Sequence, residues 1–70
     1  MKVTDDTIQT YLSSQIATLG NAVHVTGRDV AQSIDCDYAL NDEEYKEVLA
    51  RCYKAVDKAR TSALWVMWNN

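Results

Sequence analysis

The sequence predicts a mainly α (α+β) fold: a three-helix core with a short two-stranded β ribbon, in the order helix, strand, helix, helix, strand. Three observations predict it. A helix-start signal recurs at Thr4, Thr26 and Asn41, and apolar residues follow each at helical spacing. Two short runs rich in β-branched or aromatic residues, 22–25 and 64–68, fall outside those stretches. With 47% hydrophobic and 24% charged residues the chain has the composition of a folded protein, not of a disordered tail. Seventy residues suffice for one domain, 1–70, because a chain this short buries only ~60% of the surface its unfolded form exposes.

The first helix opens at Val3-Thr4-Asp5-Asp6-Thr7-Ile8, with Thr4 as cap and Val3 against Ile8 as a hydrophobic staple. Ile8, Tyr11, Leu12, Ile16 and Leu19 then form an inward stripe, and Gly20-Asn21 ends the helix where a left-handed residue can close the last turn. The second helix, read as 26 to 34, has Thr26 as cap, Asp29 reaching back to the cap amide, and Val25 against Val30. Val30, Ala31 and Ile34 face the core, and Asp35-Cys36-Asp37 reads as the stop. Gly20 and Gly27 both read as punctuation. The third helix, read as 42 to 60, opens with Asn41 and Glu44 as a capping box and Leu40 against Tyr45. Tyr45, Val48, Leu49, Cys52, Val56 and Ala59 line its inner side, and Glu47 to Arg51 is a favourable i,i+4 pair. Its start is acidic, with Asp42, Glu43, Glu44 and Glu47, and its end basic, with Arg51, Lys54, Lys58 and Arg60. That order complements the macrodipole of a helix ending near 60.

The strands are read at Ala22-Val23-His24-Val25 and Leu64-Trp65-Val66-Met67-Trp68, paired and supported by packing on the helices. The alternative is that helix three runs on through Trp68, since Thr61-Ser62 interrupts a helix weakly and no Pro or Gly blocks it.

The segment Val25-Thr26-Gly27-Arg28-Asp29-Val30-Ala31-Gln32-Ser33-Ile34, together with the element order, resembles winged-helix regulators, a variant of the helix-turn-helix. The resemblance implies a DNA-binding regulator acting as a dimer, with Arg28, Arg51, Lys54, Lys58 and Arg60 on phosphates. Two features depart from that pattern. The turn read at 35–40 is longer than the motif's compact one, with Asp35 where Gly is usual. The end of helix three that would meet base edges is Asn41-Asp42-Glu43-Glu44, which phosphates repel.

A catalytic or metal site has little to draw on. His24 is the sole histidine, Cys36 and Cys52 are sixteen positions apart without metal-ligand spacing, and no serine sits in a glycine-flanked elbow. The carboxylate clusters Asp5-Asp6 and Asp42-Glu43-Glu44 sit at helix starts, where capping accounts for them. The expectation is a non-enzymatic protein without metal or cofactor, its two thiols free. No apolar run approaches the ~20 residues of a membrane span, and the acidic N-terminus lacks an apolar leader, so a cytoplasmic location is expected.

The terminal tryptophans are the feature least absorbed by structure. As a strand, 64–68 would be apolar on both faces, more than a small core covers, and Trp and Met are enriched where proteins meet. The chain is therefore expected to bind a protein partner, or itself, through Leu64, Trp65, Val66, Met67 and Trp68. DNA binding through Arg28 and the basic half of helix three is the alternative, weakened by a net charge of −3.

Overall fold

The computed structural model describes residues 2–20 and 24–69, with side chains as far as Ser62. Three helices follow one another: α1 (Asp5–Leu19), α2 (Gly27–Tyr38) and α3 (Asp42–Asn69). At ~1.5 Å rise per residue, the 28 residues of α3 account for the molecule's long dimension of 42 Å.

Each helix starts where the local sequence signal places it. The Thr7 amide donates to Thr4 Oγ1 at 3.2 Å, and the Thr4 amide donates back to Thr7 Oγ1 at 3.4 Å. At α2 the Asp29 amide donates to Thr26 Oγ1 at 3.1 Å. At α3 the box is reciprocal, Glu44 amide to Asn41 Oδ1 at 2.9 Å and Asn41 amide to Glu44 Oε1 at 3.1 Å. Val3, Val25 and Leu40, read as the apolar residues before each cap, pack on the core, the two valines fully buried.

The helix ends differ from expectation at two places. Asp35-Cys36-Asp37 does not stop α2, which continues to Tyr38. The Asp35 carboxylate accepts the Leu40 amide at 3.0 Å and its carbonyl accepts the Ala39 amide at 2.9 Å, so this residue satisfies the helix end that it was expected to cause. The connection to α3 is accordingly residues 39–41 and not the longer 35–40 turn. Ala39 closes α2 in the left-handed region, at φ 50°. A Cβ is disfavoured there by roughly 1–2 kcal/mol. Ala39→Gly is expected to stabilise the fold by about 0.5–1 kcal/mol, read as a higher urea midpoint; an unchanged or lower midpoint would count against this geometry.

The second difference overturns the β ribbon. Residues 64–68 are helical, a continuation of α3, and there is no strand among the described residues. Positions 22 and 23 of the other expected strand lie outside the described residues. Helix propagation is cooperative, and nothing between Arg60 and Asn69 stops it. Thr61 fits the helix because its hydroxyl donates to the Asp57 carbonyl at 2.9 Å. The strand preference of Leu64 to Trp68 depends on pairing and packing that a growing helix pre-empts. Val25, meanwhile, gives its carbonyl to the Arg60 guanidinium in place of a ladder bond.

The core is assembled from Val3, Ile8 and Leu12, from Val25, Val30, Ala31 and Ile34, and from Val48, Cys52 and Val56. Leu19, expected inside, is 44% exposed in the last turn of α1. Gly27 is not punctuation. It is buried at the first position of α2, and a Cβ there would lie 2.7 Å from Tyr53 Cδ1 and 2.8 Å from both the Tyr53 Cα and N. The absent side chain is what lets α2 rest directly on the backbone of α3.

Candidate functional site

The side chains named in advance as possible contacts with a partner nearly all lie on α3, so the geometry of that helix decides which remain available. Two of the five predicted phosphate ligands are used inside the fold. Arg51 donates from Nη1 to the Val3 carbonyl at 3.0 Å and from Nη2 to Asp5 Oδ1 at 2.6 Å, holding the segment before α1 against α3. Asp5 is 90% exposed, so this ion pair is worth only ~0–1 kcal/mol. Arg60 donates to the Val25 carbonyl, while its Nε is buried without a hydrogen-bond partner. Arg28, Lys54 and Lys58 are exposed. Arg28 and Lys54 adjoin the touching residues Gly27 and Tyr53 in sequence, which gathers two of these cations near the α2–α3 crossing.

The length of α3 also changes the meaning of its charge order. Asp42, Glu43 and Glu44 occupy the first turn and complement the dipole as expected. The bases do not: the helix runs to Asn69 and its last turn carries no basic residue. Dipole stabilisation falls off within the terminal turn, so Lys54 and Lys58, in mid-helix, gain nothing from it.

The backbone of the predicted apolar segment, Leu64, Trp65, Val66, Met67 and Trp68, is helical, and its side chains lie outside the described residues. The two-faced strand expected there is replaced by helical register. Positions 65 and 68 continue the exposed line 43, 47, 50, 54, 58, 61, whereas 63, 66 and 67 continue the buried line 48, 52, 56, 59.

Away from α3, the Tyr11 hydroxyl donates to Asp37 Oδ2 and latches α1 to the end of α2, with the Tyr38 ring edge-on to Tyr11 at a centroid separation of 6.3 Å. The carboxylate beside it pushes the Tyr11 phenol from 10.0 up to about 12. Burial pushes the Cys52 thiol from 9.0 up to about 11, whereas Cys36 is exposed. In both groups the folded state holds the proton more tightly than the unfolded chain. Their stabilising contributions are therefore complete below pH 9, and they are lost as pH rises through the folded-state values of about 11 and 12. Thermal midpoints should fall across that alkaline range. Asp37→Asn should return one tyrosine to ordinary titration in the ultraviolet, and an unchanged tyrosine titration would contradict the latch.

A shallow groove of about 280 Å³ between α1 and α3 is lined by Gln9, Ala55, Lys58, Ala59 and Ser62. Among the described residues no group of three or more His, Cys, Asp or Glu side chains is placed to hold a metal ion; His24 is exposed, and Cys36 and Cys52 are free thiols. No helix is long and apolar enough to cross a membrane among the described residues. Compared with protein-family models, with curated proteins and with solved structures, the chain matches none.

Proposed function

We propose that this protein is a small non-enzymatic interaction module, regulatory in role, which binds a protein partner or itself through the last turns of α3, at Leu64, Trp65, Val66, Met67 and Trp68. One observation carries the reading. The helix continues to Asn69 beyond Arg60, the last residue of α3 hydrogen-bonded to another part of the fold among those described. Core contacts reach Val56 and Ala59, and Thr61 and Ser62 are exposed. A helical extension ending in two tryptophans supplies large rings at low entropic cost, the composition favoured at the centre of interfaces. In the full chain, Trp65→Ser with Trp68→Ser should abolish self-association or partner capture. Unchanged mass by light scattering together with unchanged capture would reject the proposal.

The exposed trio Arg28, Lys54 and Lys58 supports a second reading, a DNA-binding regulator acting as a dimer, with α2 and α3 joined by only residues 39–41. It requires affinity that falls steeply with salt. Titration with random duplex DNA at low salt should then shift the amides of Arg28 and of residues 51–60, and silence there would remove it.

A further inference from the structure

We infer that two copies of this chain associate as an antiparallel, two-fold symmetric pair through the exposed face of α3, Glu43 and Glu47 of each copy meeting the partner subunit's Lys58 and Lys54. The inference rests on the reading of the protein as an interaction module and names its partner.

The argument starts from a charge order that helix capping and the macrodipole leave unexplained. Glu43, Lys46, Glu47, Ala50, Lys54, Asp57, Lys58 and Thr61 are all exposed, and they form one side of α3. Helix capping accounts for acids in the first turn, but not for Glu47, and the macrodipole accounts for neither lysine. The spacing is symmetric. Glu43 and Lys58 lie equally far from the midpoint between Ala50 and Arg51, and Glu47 and Lys54 do so too. Two such helices laid antiparallel about that midpoint therefore place each glutamate opposite a lysine, and the two-fold axis doubles every pair.

The flank of the stripe agrees. Lys46 comes within about one turn of the partner subunit's Asp57, the only other exposed charges of α3 between Glu43 and Lys58. A parallel pairing would set Glu against Glu and Lys against Lys. Ala50, small and exposed, sits at the centre, where it lets the backbones approach. Positions 65 and 68 lie on the same line but beyond the point where the partner's α3 begins, so the pairing of 43–58 leaves the tryptophan segment outside it.

Exposed ion pairs are individually weak and screened by salt, so the pair should form reversibly, at low salt and rising concentration. The test uses the full-length chain in sedimentation equilibrium. Wild type should dimerise, and two variants, Lys54→Glu/Lys58→Glu and Glu43→Lys/Glu47→Lys, should each dimerise at least about tenfold more weakly while keeping wild-type circular dichroism. Mixed, the two should form a 1:1 heterodimer, because one presents only acids and the other only bases on this line. A monomeric wild type, variants that dimerise like wild type, or a mixture that stays monomeric would overturn the inference. The Trp65→Ser/Trp68→Ser variant separates it from the functional reading. Dimers lost there but retained by both charge variants would reject the α3 face and keep the tryptophan site; the converse would keep the face and reject the tryptophan segment as the site of self-association.

Discussion

Gly27→Ala should destabilise the fold although alanine is the better helix former. The alanine methyl would have to enter space already held by the Tyr53 backbone, at 2.8 Å from its Cα and N, and neither atom can swing aside as a side-chain tip would. Overpacking of this kind costs about 1–3 kcal/mol. The gain in helix propensity, at most ~1 kcal/mol in a helix interior, is smaller still at a first helical position. The consequence is a shift of α2 along or away from α3, with loss at the Val30, Ala31 and Ile34 contacts that depend on that seating. Gly20 provides the comparison. Its φ of 77° penalises any side chain, yet no atom lies within 4 Å of a Cβ built there, so Gly20→Ala should cost only ~1–2 kcal/mol of backbone strain and leave packing intact. Urea midpoints and methyl chemical shifts of the core read the difference. A Gly27→Ala protein as stable as wild type, with unmoved core methyls, would contradict the close crossing.

Ile34→Ala should have the largest effect of any single truncation. Ile34 is fully buried, at 0% exposure, and is among the largest of the fully buried side chains in the core. Removing an isoleucine to Cβ in such a place costs about 2–5 kcal/mol, through lost transfer energy and the cavity that remains. A domain of this size holds only roughly 4–10 kcal/mol in total. The variant should therefore be largely unfolded near its working temperature, or show a heavily depressed melting midpoint by circular dichroism. The control is Leu19→Ala, which removes the same number of carbons from a position 44% exposed and should cost well under half as much. Similar losses at both positions would mean that the core is not arranged as described.

Much of this architecture was legible because helix starts are written locally. Thr4, Thr26 and Asn41 each satisfy amides within three residues of themselves, so a short window of sequence carries the whole signal. Helix ends are not written that way. Asp35 looks like a terminator by type, but its carboxylate reaches Leu40 and keeps the last turn of α2 intact. Thr61-Ser62 looks like a break, but the Thr61 hydroxyl returns to the helix backbone. The inner faces were readable from spacing, as Val48, Cys52 and Val56 show, while the role of Gly27 was not, since the need for a missing Cβ comes from Tyr53, far along the chain. Arg51 and Arg60 illustrate the same limit for the candidate site. Their types suggested phosphate ligands, but a long flexible side chain can turn back onto a carbonyl of its own fold, and both do. The symmetric charges of α3 were visible as a list of residues; their meaning changed once the helix proved to extend well past the last lysine.

The tryptophan site requires that α3 be one unbroken helix from Asp42 to Asn69, and the charge argument for its exposed face requires that it continue well past Lys58. Backbone carbon secondary shifts of the full-length protein measure this directly, residue by residue. Helical shifts should run without interruption through Thr61 and Ser62 and on through Leu64 to Trp68. Extended-chain shifts at 64–68, or a return to coil values at Thr61, would contradict the account.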